Sequence, residues 1–129
     1  MMLNILDLIG RVSISLLFLL NGYLKILNYN GTLEWMESYG ISGIFLIPAI
    51  ILEIVAPILI IIGYKTKIAA ILLAVFCIAT ALIFHNDFSN QMQVNSFLKN
   101  IALAGGLIFI VANGAKKFSL DGKKTNETN

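Results

Sequence analysis

Residues 44–62 read IFLIPAIILEIVAPILIII, a run of 19 residues with a single charged side chain, Glu53. About 20 predominantly apolar residues in a helix are enough to cross the hydrocarbon core of a bilayer. The apolar residues are continuous rather than alternating, which argues against a strand of a membrane β-barrel. This stretch therefore predicts a transmembrane helix, and it decides the fold because three other stretches are similar to it.

The other apolar stretches cover residues from about 5 to 27, 67 to 84 and 97 to 115. The chain is 58% hydrophobic and 12% charged, whereas soluble domains have about 25% charged residues. We expect an all-α fold, an integral membrane four-helix transmembrane bundle over residues 1–115. A short surface helix is predicted at 32–39. Residues 116–129 are hydrophilic, and we expect a disordered tail there.

The basic residues are distributed unequally between the two ends of the predicted bundle. Four spans put both termini and the second connection at one end, and the opposite end has only Lys25 and Lys99. Because positive residues stay in the cytoplasm, we expect a multi-pass protein with both termini cytoplasmic. The richness in Ile, Asn and Lys is typical of a bacterial source. The lysines at the terminal end are Lys65, Lys67, Lys116, Lys117, Lys123 and Lys124.

Polar and small residues recur every three or four positions along the first span. At about 3.6 residues per turn, they share one helix face, which must point into the bundle rather than at lipid. Gly22 on this face would let another helix or a ligand approach closely. The residues of this face are Asp7, Arg11, Ser15, Phe18, Gly22 and Lys25.

Glu53, near the middle of the second span, requires a partner or a proton. A charged side chain there costs about 2.5–3.5 kcal/mol on insertion scales. Arg11 lies roughly 6 Å from it along the membrane normal, at about 1.5 Å per residue. We therefore predict an Arg11–Glu53 pair. Whether such a pair locks two helices together or forms a ligand site stays open, since buried pairs are often structural.

A second polar group is expected at the outer ends of the spans, where His85, Lys99 and Asn100 come level with Lys25. The lysines could instead extend to the interface, and His85 could be a capping residue. One histidine and one cysteine do not supply metal-site spacing, so no metal is expected. Cys77 is interpreted as an inert buried thiol. The net charge of +2 is too small and scattered to suggest nucleic acid.

Taken together, the order and spacing of these residues resemble the DoxX family of membrane proteins, over about residues 6–121. The resemblance implies a four-helix inner-membrane bundle, with relatives associated with thiosulfate:quinone oxidoreductase subunits and respiratory complexes. The positions that match the family pattern, and are implied as a ligand site, are Arg11, Gly22, Lys25, Glu53, His85 and Lys99. The resemblance rests on Gly10-Arg11, Phe18, Asn21-Gly22, Lys25, Tyr39-Gly40-Ile41, Glu53, Gly63, Lys65-Thr66-Lys67, Phe84-His85, Phe97 to Ala102, Gly105-Gly106 and Phe118 to Asp121.

Three functions are compatible with these features. The first is an accessory subunit of a membrane redox system that binds a membrane quinone or couples oxidation of a small sulfur compound to the quinone pool. It would need a membrane or soluble oxidoreductase partner, because the chain has no cysteine pair of its own.

The second is a non-catalytic assembly or interaction protein, in which Ala70 with Ala74 and Ala102 with Gly106 support close helix packing, within the chain or in a homo-oligomer. The third is a solute carrier with Glu53 as its proton site. Whether the protein is an enzyme stays open.

Overall fold

The computed structural model describes residues 1–123, and within this range the regular structure is helical, with no strand. Four helices are long and apolar enough to cross a membrane, which confirms the predicted all-α bundle. A shorter helix follows the first span, as predicted. The helices are α1 (Met2–Leu27), α2 (Tyr29–Ser38), α3 (Leu46–Ile62, preceded by the 3-10 turn Gly43–Phe45), α4 (Thr66–Phe84) and α5 (Gln91–Asn113).

Side-chain hydrogen bonds fix the start of two of the helices. The last span was expected to begin near residue 97, but α5 begins at Gln91 because the Asn90 side chain accepts a hydrogen bond from the Met92 amide at 2.9 Å. The start of α4 has no side-chain cap from its own N-cap residue, Lys65. Instead Asp121, 55 residues away, accepts hydrogen bonds from the Thr66 amide and hydroxyl at 2.8 and 2.7 Å. A long-range cap of this kind replaces the local one.

The bundle is held together by helix pairs that are neighbours in space. α1 packs on α3, α3 on α4, and α4 on α5. Small residues on α4 let these helices approach closely. Ala70 and Ala74, for which packing within the chain and packing in a homo-oligomer were both left open, are buried inside the bundle. The main core consists of Phe18, Ala56, Ile60, Ala69, Ala70, Leu73, Ala74, Cys77, Ala104 and Leu107.

The predicted inner face of α1 is confirmed. Its buried residues are Arg11, Ser15, Phe18 and Gly22, each three or four positions from the next. Gly10, one position away, has open space around it. The helical period therefore determines which residues of the span face the protein and which face lipid.

The segment that follows α5 is ordered as far as the structure describes it, so the expected disordered tail is wrong for residues 116–123. The amide of Asp121 donates to the Gly63 carbonyl at 2.7 Å, and Ser119 is buried. A hydrophilic composition suggested disorder, yet these polar groups have partners at the ends of α1, α3 and α4. Residues 124–129, including Lys124, lie outside the described range.

Candidate functional site

Arg11 does not pair with Glu53, which corrects the central prediction for the polar residues. Its guanidinium Nε donates to Asp7 Oδ2 at 2.9 Å, and Nη1 donates to the carbonyls of Ile60 and Ile61 at 2.9 and 2.8 Å. The last carbonyls of a helix lack partners within it and carry partial negative charge. The end of α3 therefore offers Arg11 partners at its own depth, and an arginine with five donors satisfies several of them at once.

The fourth contact of Arg11 extends to the C-terminal segment, where Nη2 donates to the Phe118 carbonyl at 2.7 Å. Asp7 Oδ2 also accepts from the Lys116 amide at 3.1 Å. Arg11 is 1% exposed. Arg11 thus connects α1, the end of α3 and the C-terminal segment at the end of the bundle where both termini lie. This is a structural role.

Glu53 pairs with Lys25. Lys25 Nζ lies 2.7 Å from Glu53 Oε2, and the side chain of Glu53 is 3% exposed while that of Lys25 is 26% exposed. The lysine side chain bends inward along α1 instead of extending to the interface. Gly22 permits this contact, since a Cβ there would lie 2.8 Å from Ile54 Cδ1 and 3.3 Å from Glu53 Cβ. The buried carboxylate is therefore balanced by a cation from a different helix.

The Lys25–Glu53 pair lies on the wall of a cavity of about 540 Å³ between the spans, which we call the loop-side cavity. Ligand sites in proteins are commonly 300–1,000 Å³, mostly apolar, with a few polar groups. The structure brings together four of the six predicted site residues here and leaves two out: Arg11 is at the terminal end, and Gly22 packs behind Glu53. The four that line the cavity are Lys25, Glu53, His85 and Lys99.

Further polar groups line the same cavity. The Asn100 amide donates to the Thr80 hydroxyl at 3.2 Å, which in turn donates to the carbonyl of Phe76 at 2.9 Å. His85 Nδ1 lies 3.1 Å from Gln93 Oε1, so the first turn of α5 orients its ring. Thr80, Asn100 and His85 therefore each have a side-chain partner that fixes their position. Hydrogen-bonding groups from α1, α3, α4 and α5 therefore line one mainly apolar space.

Helix α2 covers the loop-side cavity with an aromatic surface. Trp35 stacks on Phe84 with a centroid distance of 4.4 Å, and Tyr39 meets both rings edge-on at 5.3 and 5.1 Å. Such ring pairs contribute about 0.5–1.5 kcal/mol beyond their buried area. Met36 is buried below them against Leu46. The short surface helix is therefore fastened to the end of α4 and forms one wall of the site.

The cavity also extends toward the lipid-facing surface. Residues that line it and are exposed occur at the start of α3 and along the last turns of α4, where these antiparallel helices are neighbours. The cavity is therefore not fully covered by protein on the side where α3 and α4 meet. These exposed lining residues are Phe45, Pro48, Ala79 and Ile83.

Sequence reasoning missed several residues of the site. Trp35 lies in the surface helix predicted at 32–39 but was not assigned to the site, and Thr80 was not singled out. Cys77, interpreted as inert, is buried and lines the cavity. For Trp35 the available signal was its place on a short amphipathic helix just before an apolar span. For Thr80 there was none, because a single threonine in an apolar span has no pattern.

The profile of the DoxX family matches residues 6–86, which include α1 to α4. The chain belongs to the DoxX family. Lys25, Glu53 and His85 fall inside the matched range and Lys99 outside it. Three of the four predicted site residues that line the cavity of this DoxX protein therefore lie in the part that matches the family profile.

Curated relatives of this DoxX protein match most of its length. Inner membrane protein YqjF of Escherichia coli is 32% identical over 114 residues, 88% of each chain. Inner membrane protein YphA of the same organism is 32% identical over 125 residues, 91% of this chain and 89% of YphA. The ER-derived vesicles protein ERV29 of Saccharomyces cerevisiae is 31% identical over 80 residues, 58% of this chain and 26% of that protein. No solved structure matches the chain.

Proposed function

We propose that this DoxX protein is an accessory subunit of a membrane redox system and that its loop-side cavity binds the head group of a membrane quinone. The observation that carries the proposal is the ion pair of Lys25 with the buried Glu53 on the wall of a mainly apolar, aromatic-lined cavity. Charged groups inside a membrane are costly and most often belong to a functional site.

The chemistry of the cavity suits a quinone. A quinone head group is a flat ring with carbonyl oxygens at opposite edges and an apolar tail. Trp35 and Phe84 provide flat apolar surface, whereas Lys25, Lys99 and Asn100 provide donors for ring oxygens. The opening between α3 and α4 suits the tail, which stays in lipid. Glu53 would hold a proton or accept a hydrogen bond, which matters because quinone reduction takes up protons as well as electrons.

The role is accessory because the electrons must come from elsewhere. The chain has a single cysteine, Cys77, and therefore cannot form the internal dithiol that thiol oxidoreductases use. A membrane or soluble oxidoreductase would supply electrons, and a small sulfur compound is the electron donor that the family resemblance favours. With positive residues inside, both termini would be cytoplasmic and the cavity would lie at the outer side of a bacterial inner membrane.

Quinone content tests this function. The full-length protein is purified from its own membranes in mild detergent, extracted with organic solvent, and assayed for isoprenoid quinone per chain. Close to one quinone per chain in the wild type, lost in Lys25→Met and Glu53→Gln, would support the site. The matched controls are Lys67→Met and Glu34→Gln, which change the same groups outside the cavity. Quinone at the lipid background in all five proteins would reject it.

An assembly role is the second candidate, and one surface of α5 favours it. A Cβ at Gly105 would have no atom within 4 Å, and Ala102, three residues earlier, is exposed. Small residues at a lipid-facing position let a second helix approach closely. Oxidative cross-linking of an Ala102→Cys variant in native membranes tests it. A cross-linked dimer supports association through α5, and exclusively monomeric protein argues against it.

A further inference from the structure

A second cavity lies at the opposite end of the bundle, where α4 begins and α5 ends. It encloses about 590 Å³ and has no residue in common with the loop-side cavity. We call it the terminal groove. Among residues 1–123, four lysines line it against one aspartate, which leaves an excess of three positive charges. The lysines are Lys65 and Lys67 from the start of α4, and Lys116 and Lys117 from the segment after α5.

The acidic groups beside the groove are already engaged by other donors. Asp121 accepts from the amides of Lys65 and Thr66 and from the Thr66 hydroxyl. Asp7 accepts from Arg11 and from the Lys116 amide. Within residues 1–123, none of the four lysine ammonium groups lies within 4.0 Å of a carboxylate. The groove therefore presents positive charge that the described chain does not neutralise.

The position of the groove determines which anion can reach it. Its lining spans the first residues of α4 (Thr66–Phe84) and the end of α5 (Gln91–Asn113), two helices that cross the membrane. The ends of membrane-spanning helices lie at the depth of the lipid head groups. Lysines at this depth are attracted to anionic lipid.

The groove is also held in a fixed shape. One wall, Lys116 and Lys117, precedes the segment that Arg11 binds through the Phe118 carbonyl. The other wall is fixed by the Asp121 cap on α4. Lys65 itself adopts a left-handed backbone conformation with φ 49°, which few residues other than glycine adopt. The lysines are thus displayed on ordered backbone rather than on a free tail.

From these observations we infer that the terminal groove binds the phosphodiester head group of an anionic phospholipid. The lysines contact the phosphate oxygens, and the acyl chains lie along α4 and α5. This site is separate from the proposed quinone cavity and does not depend on it. A lipid bound in the groove would contact Lys116 and Lys117 of the C-terminal segment, which Arg11 holds in place.

Native mass spectrometry of the full-length protein tests the inference. Detergent-solubilised protein is mixed with equimolar phosphatidylglycerol and phosphatidylcholine, and the retained lipid is counted. We expect preferential retention of phosphatidylglycerol, lowered about fivefold by Lys67→Gln and by Lys116→Gln. The matched control is Lys123→Gln, which removes one charge at the same end but does not line the groove.

Each other outcome overturns the inference. Equal retention of the two lipids excludes a site for anionic head groups. An equal effect of all three substitutions indicates general surface attraction rather than a groove. Displacement of the lipid by millimolar inorganic phosphate indicates a site for the free ion instead. Each variant must elute from size exclusion as the wild type does, so that a loss reports on binding and not on folding.

Discussion

Lys25 donates a hydrogen bond of 2.7 Å to Glu53 across the contact between α1 and α3. The bond joins residues 28 positions apart and balances the carboxylate that the membrane would otherwise penalise most. It also forms part of the wall of the loop-side cavity. One ion pair therefore links helix packing to the candidate site.

Removal of the lysine should destabilise the bundle. Lys25→Met leaves Glu53 buried without a counter-charge, which we expect to cost about 2 kcal/mol. This loss of stability is smaller than the loss expected on breaking a fully buried ion pair, because Lys25 is partly exposed. Thermal unfolding in detergent measures the loss. Lys25→Met with Glu53→Gln should recover part of it, and Lys99→Met should cost little. Equal losses for Lys25→Met and Lys99→Met would contradict the pairing.

Gly22 is predicted to be sensitive to a methyl group, and Gly10 is not. In Gly22→Ala the new Cβ crowds Ile54 and Glu53 at 2.8 to 3.3 Å. We expect a net loss of about 1 kcal/mol, since overpacking outweighs the gain in helix propensity. Gly10→Ala meets no atom within 4 Å and should be neutral or slightly stabilising. The unfolding midpoints of the two variants are compared with that of the wild type. A stability change of the same sign in both variants would contradict the proposed packing.

Arg11 should control whether the C-terminal segment stays docked. Arg11→Lys keeps the charge but cannot reproduce bonds to Asp7, the end of α3 and Phe118. We expect faster tryptic cleavage after Lys116 and Lys117 and a loss of at least about 2 kcal/mol, because hydrogen bonds to a charged group are lost. Limited proteolysis with mass detection follows the cleavage. Lys123→Gln serves as the control, and unchanged cleavage in Arg11→Lys would refute the docking role.

Alanine substitutions at Gly63 and Gly114 distinguish the effect of backbone strain from the effect of losing the contact with the C-terminal segment. Both have positive φ, 72° and 69°, so an alanine is strained at either position. Only at Gly63 would the Cβ also overlap Ser119 of the C-terminal segment. Gly63→Ala should therefore be the more destabilising of the two and should also speed tryptic cleavage after Lys117. If Gly114→Ala has the same effect on both measurements, the contact with Ser119 is unimportant.

Much of the fold could be predicted from the sequence, because apolar length and helical period are local properties. The four spans and the inward face of α1 follow directly from them. The partners of the charged residues could not be predicted in this way. Depth along the membrane normal suggested Arg11 for Glu53, but lysine side chains are long enough to reach a helical turn or more, and helix-end carbonyls compete for arginine.

The candidate site was predicted in part. Lys25, Glu53, His85 and Lys99 were singled out because polar residues in apolar spans are unusual. Trp35 entered the site through the fold of α2 over α4, which depends on contacts between residues far apart in sequence. The capping of α4 by Asp121 is of the same kind, since its partner lies in a segment whose composition suggested disorder.

Fluorescence of Trp35 tests the central claim most directly. It is the single tryptophan of the chain, it lines the loop-side cavity, and quinones quench indole fluorescence on contact. A short-chain quinone is titrated into detergent-solubilised wild type, Lys25→Met, Glu53→Gln and the control Lys67→Met. We predict saturable quenching in the wild type and in Lys67→Met, weakened at least about tenfold in affinity in both cavity variants, the result of losing one buried charged contact. Quenching that rises linearly with quinone and is identical in all four proteins would contradict a quinone site in this cavity.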